Sequence, residues 1–350
     1  YSWSPWWAFD NPALQGPQAY FNSTSTATLT VTDTLGCQGS DEVIVYVGPQ
    51  AATVVTGTVV YDNTAGTLLS GAQVQLAGDT LLRHDITDTQ GAFRFTEVNT
   101  GSYTLTAGST RPWGGVNAGD ALLILRHFVD SLSLTGLRVA AADVNASQYV
   151  NATDALLCAR RFAGIDSTFP AGDWLFGQEA FYTPGVGNLS FQIPGICFGD
   201  VDGSFNPGKH SMPLVTLETA GELLPEVSGR ADIPLQSLEP LEVGAISLVL
   251  GIPAGYRVES VSIPGGGPNQ PIYHIRGDEL RIAWYSLTPL RLEPGEALLL
   301  IHATYAMLPH GEWTVRMESS LSDAEGTSIP GARLTMPRIR ESVPAFGLGT

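Results

Sequence analysis

Alternation of polar and apolar residues dominates this chain, and a period of two residues is the pattern of half-buried β-strands. Near the start, 28–32 alternates Thr with Leu and Val, and a glycine turn separates it from a second run at 43–47. These runs predict a hairpin within 1–49. A complete β-sandwich of about seven strands needs roughly 100 residues. We therefore expect an incomplete sheet whose missing strands either were removed or come from another chain.

Two longer regions continue the same alternation. Four runs predict a small antiparallel sandwich over 52–108. They are 57–61, 72–76, 92–95 and 102–106. Residues 210–338 contain short alternating runs separated by Gly and Pro turns, and they predict eight or nine strands of a jelly-roll-like sandwich. Residues 339–350 are left as a C-terminal tail.

Helical spacing occurs in two segments of the intervening region, 109–208. Their apolar positions are Ala121, Leu122, Leu125 and Val129 in the first segment and Ala155, Leu156, Ala159 and Phe162 in the second. Each helix is expected to begin directly after an aspartate, Asp120 or Asp154. The predicted fold class is mainly β, with tandem β-sandwich modules and a small two-helix module between them.

Composition and motifs narrow the range of functions. The 350 residues carry a formal net charge of −17, which disfavours nucleic acid and anionic lipid as partners. No apolar run approaches the roughly 20 residues of a membrane-spanning helix, so we expect no membrane insertion. Nucleophile-elbow, zinc-protease and phosphate-loop motifs are absent from the sequence, which favours a non-catalytic protein. An enzyme would need a pocket with two unpaired carboxylates elsewhere.

The segment DVNASQYVNATD, 143–154, offers oxygen at every ligand position of an EF-type calcium loop. Positions 1, 3, 5, 7, 9 and 12 correspond to Asp143, Asn145, Ser147, the Tyr149 carbonyl, Asn151 and Asp154. Ser147 stands where an acidic residue is usual, and Gln148 stands where Gly is common, so we expect reduced affinity. The alternative interpretation is an ordinary turn followed by an aspartate helix cap.

Half of a second loop precedes the first helix, and its complement occurs far along the chain in GDVDGS. We expect a split calcium site formed by Asp200, Asp202, Ser204, the Gly115 carbonyl, Asn117 and Asp120. Separation of the two segments by more than about 8 Å would eliminate this hypothesis, because one cation cannot bridge that gap. The alternative is that GDVDGS is a surface turn.

These loops and helices resemble the dockerin family, whose calcium-bound modules dock into cohesin domains. The resemblance implies partner-facing residues just before position 12 and along each helix. They are Ala118, Gly119, Arg126, Ala152, Thr153, Arg160 and Arg161. The two arginines at 160–161 suit an acidic partner face, although a solvated helix flank explains them equally well.

The β regions resemble other modules. GTVVYDN, SGAQVQL, TDTQGAFRF and GSYTL are similar to carboxypeptidase-regulatory-like, transthyretin-like spacers. LRIAWYS and LEPGEALLLIHATYA are similar to cohesin domains, which often carry an acidic residue where Leu321 stands here. The first 49 residues resemble the later half of immunoglobulin-like or polycystic-kidney-disease repeats. This modular style resembles extracellular surface proteins of Bacteroidetes-type bacteria.

Further candidate sites are few. A disulfide between Cys158 and Cys197 is possible, although a small apolar core role also fits Cys158. Asn22 and Asn188 are candidate glycosylation sites. The tryptophans at 3, 6 and 7 suit either a core or interface role or a sugar-stacking platform.

The combined interpretation is a calcium-binding, self-assembling extracellular filament or surface-layer protein. Copies would join head to tail through dockerin-like and cohesin-like contacts, or by strand addition to the incomplete N-terminal sheet, with the tail as one candidate strand. The alternative is a cell-surface scaffold or adhesin that binds polysaccharide or a separate dockerin-bearing enzyme.

Overall fold

A computed structural model describes residues 1–47, 52–209, 212–223, 229–265 and 269–339. This part of the chain contains twenty-one β-strands and three α-helices, which confirms the predicted mainly β class. The helices have 11, 6 and 11 residues, and none in the described ranges has the length and hydrophobicity needed to cross a bilayer.

The N-terminal region forms one antiparallel sheet, in the order β1-β2-β3. Its strands are β1 (Ser2–Ser4), β2 (Ser25–Thr32) and β3 (Gln38–Val45). The β2–β3 pairing confirms the predicted hairpin, and Asp33 caps its turn by accepting hydrogen bonds from the amides of Leu35 and Cys37. Ala8 and Ala27 are the buried hydrophobic residues within 1–47, so this sheet has little core of its own.

A spacer sandwich follows, built from two four-stranded sheets in the orders β10-β8-β5-β6 and β7-β4-β11-β9. The strands are β4 (Thr53–Tyr61), β5 (Gln73–Gly78), β6 (Leu82–Ile86), β7 (Ala92–Val98), β8 (Gly101–Gly108), β9 (Trp174–Phe176), β10 (Glu179–Thr183) and β11 (Asn188–Cys197). Alternate residues of β4 face the buried interior, as the period-two pattern predicts.

Three strands of this sandwich come from 174–197, which we predicted to belong to the helical region, 109–208. Residues 52–108 therefore do not supply all of the strands in these two sheets. The alternation in β11 is visible in the sequence, but its partner is distant: β11 pairs in parallel with β4, with Ile193 opposite Val59. Parallel pairing across more than one hundred residues has no local sequence signal.

The helical region contains α1 (Ala118–Phe128), α2 (Leu137–Ala142) and α3 (Ala152–Phe162). The structure confirms α1 and α3, whereas α2 was not predicted because six residues are too short to show helical periodicity. The predicted helix starts were wrong. Asn117 and Asn151 are the N-caps, and the aspartates lie inside the first turn, where each completes a capping box.

The C-terminal sandwich has ten strands, one more than the upper prediction. One sheet has the order β12-β21-β13-β18-β15, and the other has the order β16-β17-β14-β19 with β20 also paired to β14. The strands are β12 (Val215–Leu223), β13 (Arg230–Ser237), β14 (Leu241–Gly251), β15 (Ala254–Ser262), β16 (Ile272–Arg276), β17 (Glu279–Leu292), β18 (Ala297–His310), β19 (Thr314–Val315), β20 (Ser320–Ser322) and β21 (Ala332–Ile339).

The three helices do not form an isolated unit. Their buried side chains share one hydrophobic cluster with residues of the C-terminal sandwich, and we call this cluster the helix core. Its helical members include Ala121, Leu122, Ile124, Ala155 and Ala159, and its sandwich members include Ala245, Val249 and Ala283. Burial of this shared apolar surface fixes α1 against β14 and β17, and α3 against β16 and β17.

Candidate metal centre and helix interface

The contiguous loop, 143–154, is closed by hydrogen bonds to its own oxygen atoms. The Asp143 carboxylate accepts the amides of Ser147 at 2.9 Å and Gln148 at 2.6 Å. The Asp154 carboxylate accepts the amides of Asn145 at 3.3 Å and Asn151 at 2.9 Å. The first and last positions of the loop are thereby brought toward each other, as a calcium loop requires.

The split loop joins 115–120 to 200–205. The amide of Asp202 donates to Asp120 at 3.1 Å across a separation of 82 residues. Asp120, Asp200 and Asp202 form the cluster of potential metal ligands found in the described ranges, with one oxygen of each lying within 4.8 Å of the others. The fold therefore brings together the two segments, as the split-loop hypothesis demands. Cation binding by these six residues stays a prediction.

The two loops share most of their backbone-to-side-chain hydrogen bonds. Asp200 accepts the amides of Ser204 and Phe205, as Asp143 accepts those of Ser147 and Gln148. The remaining equivalent pairs also correspond: Asp202 with Asn145, Asp120 with Asp154, and Asn117 with Asn151. An isolated surface turn has no reason to reproduce this network, so the correspondence favours two equivalent sites.

Gly115 is a position of the split loop where a side chain cannot fit. A Cβ atom there would lie 2.4 Å from Cγ of Asp200, and the backbone φ of +89° is in the left-handed region. The equivalent residue of the contiguous loop, Tyr149, is 74% exposed. The glycine therefore permits a buried carboxylate, whereas the contiguous loop is open to solvent at this position.

Burial makes the negative charges of the split-loop carboxylates unfavourable, and a bound cation would compensate those charges. Asp120 and Asp200 are fully buried, and burial, reinforced by the charge of neighbouring Asp202, raises the pKa of both carboxyls well above the usual range. Three carboxylates with backbone and hydroxyl oxygens form the donor set that hard divalent cations prefer. The residues thus fit calcium.

The contiguous loop carries two carboxylates instead of three. Burial raises the pKa of Asp154, whereas Asp143 is only half-buried. Gln148 has φ of +70°, which is the left-handed conformation for which glycine is common at position 6. Both features agree with the expectation of weaker affinity at this loop.

Two contacts of the split loop were not found from the sequence. The Tyr61 hydroxyl, at the end of β4, donates to Asp200 at 2.5 Å. Burial next to the Asp200 charge raises the pKa of Tyr61 far above its ordinary value, so the phenol keeps its proton. The Arg138 guanidinium on α2 donates to the carbonyl oxygens of Val201 and Asp202. No sequence motif predicts either contact, because both depend on tertiary packing.

The face of α1 that was predicted to meet a partner is covered by this chain's own C-terminal sandwich. The amide of Ala118 donates to the Ser247 hydroxyl at 2.8 Å, and the Arg126 guanidinium donates to the Ala324 carbonyl at 2.9 Å. Gly119 is buried, and a Cβ atom there would lie 2.8 Å from the Ser322 hydroxyl oxygen. The interface is therefore intramolecular in this structure.

The corresponding face of α3 is largely open. Ala152 and Thr153 are exposed. Arg160 pairs with Asp166 at 2.7 Å, and this contact lowers the pKa of that carboxyl. These three residues remain candidates for contact with a partner.

The prediction for Arg161 was wrong. Its side chain is buried, forms an ion pair with Asp173 and lies between two rings, 3.8 Å from the Trp113 centroid and 4.2 Å from that of Phe169. The guanidinium packs on these aromatic faces inside the chain, where a partner cannot reach it.

The possible disulfide between Cys158 and Cys197 does not form. All three cysteines are free. Cys158 lies in the helix core and Cys197 in the core of the spacer sandwich, so the two side chains face different interiors. Of the alternatives weighed for Cys158, the apolar core role agrees with the structure.

The remaining candidate residues occupy surface positions. Asn22 and Asn188 are both exposed, and glycosylation there stays a prediction. Trp6 is 75% and Trp7 52% exposed, so neither belongs to a buried core. By contrast, Leu321, where cohesins often carry an acidic residue, is fully buried in the core of the C-terminal sandwich.

Comparison with known proteins places a family match on the helical region. Residues 114–163 match the model of the Dockerin type I domain, which confirms the predicted dockerin-like module. This match covers the contiguous loop, α1, α2 and α3, and the N-terminal half of the split loop. No curated protein matches the chain.

Solved structures show partial likeness. A non-cellulosomal cohesin from the hyperthermophilic archaeon Archaeoglobus fulgidus is 19% identical, covers 36% of this chain and 90% of its own, and has a TM-score of 0.29. The major pilin SpaD from Corynebacterium diphtheriae is 9% identical over 83% of this chain and 65% of its own, with a TM-score of 0.26. BcpA, the major pilin subunit of Bacillus cereus, is 11% identical over 81% and 69%, with a TM-score of 0.26.

Proposed function

We propose that this chain is a non-catalytic extracellular structural protein in which calcium holds dockerin-like helices against the chain's own cohesin-like sandwich. The observation that carries the proposal is the burial of Ala118 and Gly119 on the C-terminal sandwich. A face of the type that dockerins present to a partner is here used within one molecule. The contact thus joins modules of the same chain instead of recruiting another protein.

Two calcium ions have separate tasks in this proposal. The ion in the contiguous loop would fix the start of α3, and the ion in the split loop would fix the start of α1. The split site would also tie α1 to the segment that follows β11, and so to the spacer sandwich. Calcium outside cells reaches millimolar levels, at which extracellular modules of moderate affinity are filled. An extracellular location fits this requirement.

Assembly of copies into a filament or surface layer would use a different surface. Because α1 is occupied within its own chain, we place the joint at the N-terminal sheet. Among the described strands, β3 pairs only with β2, and Leu35, Ile44 and Tyr46 near it are more than half exposed. An open strand edge accepts an added strand from another chain, and head-to-tail contacts of this kind propagate as filaments. The candidate donor strand in the tail lies outside the described residues.

The alternative is a scaffold or adhesin whose cohesin-like domain binds polysaccharide or a separate dockerin-bearing enzyme. Occupation of that domain by α1 disfavours the enzyme-recruiting form. A cleft of about 780 Å³ lies between the helices and the C-terminal sandwich. Three of its carboxylates, Asp166, Glu279 and Glu318, pair with arginines, which does not favour glycoside hydrolysis there.

The intramolecular contact can be tested with a matched pair of substitutions. Gly119→Arg places a large side chain in the interface, and Thr153→Arg places the same side chain at the equivalent, exposed position of α3. In calcium, we expect Gly119→Arg to speed amide hydrogen exchange of α1 and of 245–249 by at least about tenfold, because opening of a packed interface exposes its backbone. Thr153→Arg should leave exchange in both segments unchanged.

Concentration and assembly complete this test. Protection of α1 in the native chain should be independent of protein concentration, since the contact is intramolecular. Protection that rises with concentration, or that survives Gly119→Arg, would contradict the proposal and favour contact between chains. Sedimentation of the same samples reports assembly: a protein that stays monomeric at high concentration in calcium would count against the filament.

A further inference from the structure

We propose that Tyr61 is a positioning residue of the split calcium site, through which the spacer sandwich controls the affinity of that site for calcium. The inference rests on the proposed calcium binding and assigns to this tyrosine a role that no loop motif contains. The inference is based on the position of the Tyr61 phenol, which lies between the predicted ligand Asp200 and the backbone of β11 at Cys197.

The Tyr61 hydroxyl forms two hydrogen bonds, one as donor and one as acceptor. It donates to the Asp200 carboxylate at 2.5 Å and accepts the amide of Cys197 at 3.0 Å. The ring is fully buried and packs edge-on against Trp174 and Phe205, with centroid distances of 5.8 and 5.5 Å. A phenol confined in this way presents its proton to the carboxylate in one direction.

This bond distinguishes the split loop from its contiguous counterpart. Both first-position aspartates accept two backbone amides, but Asp200 also accepts the phenol. The bonds recorded for Asp143 all come from within its own loop. Outer partners of metal ligands orient the ligand before the ion arrives, and their removal typically costs 10- to 100-fold in affinity. Asp200 is therefore pre-oriented by a residue from another module.

The tyrosine also couples the site to the spacer sandwich. Tyr61 ends β4 and Cys197 ends β11, and these strands pair in parallel with Tyr61 opposite Gly195. Correct pairing of β4 with β11 thus places the phenol against Asp200. Because coupling of this kind is reciprocal, calcium bound at the split site stabilises the same strand ends.

Calcium titration by calorimetry on the full chain tests this role. Asp143→Asn removes a carboxylate from the contiguous loop, so the split site dominates binding in that background. There we expect Tyr61→Phe to weaken calcium binding about tenfold. Tyr103→Phe, from the same hydrophobic core but on β8, should have no effect. In an Asp200→Asn background, where the contiguous loop dominates, Tyr61→Phe should also have no effect.

The outcomes separate the inference from the proposal beneath it. If Asp143→Asn protein shows no calcium binding, the split site itself is absent. If it binds calcium and Tyr61→Phe changes the affinity less than twofold, the positioning role is refuted. Hydrogen exchange in the Asp143→Asn protein with native Tyr61 provides a second measurement should Tyr61→Phe fail to fold. Calcium should slow exchange of the Cys197 amide, and an unchanged rate would overturn the inference.

Discussion

Residues 118–128 and 152–162 form two helices of equal length, each preceded by an Asn N-cap that takes part in a capping box. Their burial differs at six of the eleven equivalent positions. Leu122 is fully buried whereas Leu156 is 43% exposed. The first turn of α1 is packed into the molecule at Ala118 and Gly119, whereas the first turn of α3 is exposed at Ala152 and Thr153. The local sequence therefore forms the same capped helix twice, and packing against the neighbouring modules determines which of its residues are buried.

The loops that precede these helices extend the comparison. The contiguous loop is supplied by twelve consecutive residues, and its first aspartate, Asp143, is half-buried. The split loop is supplied by two distant segments, has two fully buried carboxylates and has an additional bond from Tyr61. A local loop can close before the rest of the chain folds, whereas the split loop needs the spacer sandwich and α1 in place. We therefore expect calcium binding at the split loop to require the assembled tertiary structure.

Removal of calcium should have the largest effect. A ligand present at 100 times its dissociation constant contributes about 2.7 kcal/mol for each site, so excess chelator should lower the free energy of unfolding by several kcal/mol. Asp200→Asn should abolish more of this calcium-dependent gain than Asp143→Asn, because it affects the site with three carboxylates. Thermal melts of each variant, with excess calcium and with excess chelator, provide the measurement. Equal losses in the two variants would remove the distinction between the loops.

A smaller effect on stability is expected from substitutions at loop position 7, where the predicted ligand is a backbone carbonyl. Gly115→Ala forces a Cβ atom against the Asp200 carboxylate in a left-handed conformation, which should cost about 2 kcal/mol. Tyr149→Ala, at the exposed equivalent position, should change stability by less than about 0.5 kcal/mol. Chemical denaturation in calcium measures both values. A tolerated Gly115→Ala would mean that the split loop is less tightly closed than the structure indicates.

The smallest effect concerns pH. Burial raises the pKa of Asp120 and Asp200 above the ordinary value of 3.8, so the calcium-free folded chain binds more protons there than the unfolded chain. Its stability should therefore fall as the pH rises above 3.8. Calcium replaces those protons.

The difference between melting temperatures with and without calcium should accordingly increase from about pH 4 to pH 7, and it should increase less in Asp200→Asn. Carboxyls with lowered pKa, such as Asp278, oppose this trend in both states and cancel in the difference. A calcium effect that is constant with pH would show that the buried aspartates do not titrate as proposed.

Several features were predictable because their signals are local. Period-two alternation predicted the hairpin, four of the eight spacer strands and most of the C-terminal sandwich, and helical spacing predicted α1 and α3. The split loop was predictable because its halves repeat the contiguous loop in order. By contrast, α2 is too short for a period, and the three strands within 174–197 pair with a sandwich that precedes the helices in the sequence.

The sequence by itself determined most of the strands, the two capped helices and the oxygen donors, because each depends on residues a few positions apart. Tertiary structure alone decided that α1 docks within its own chain, that Arg161 is buried and that Tyr61 reaches Asp200. Those contacts join residues 12 to 198 positions apart, and they form only when separate modules bury apolar surface together. Burial, unlike periodicity, is a property of the assembled fold.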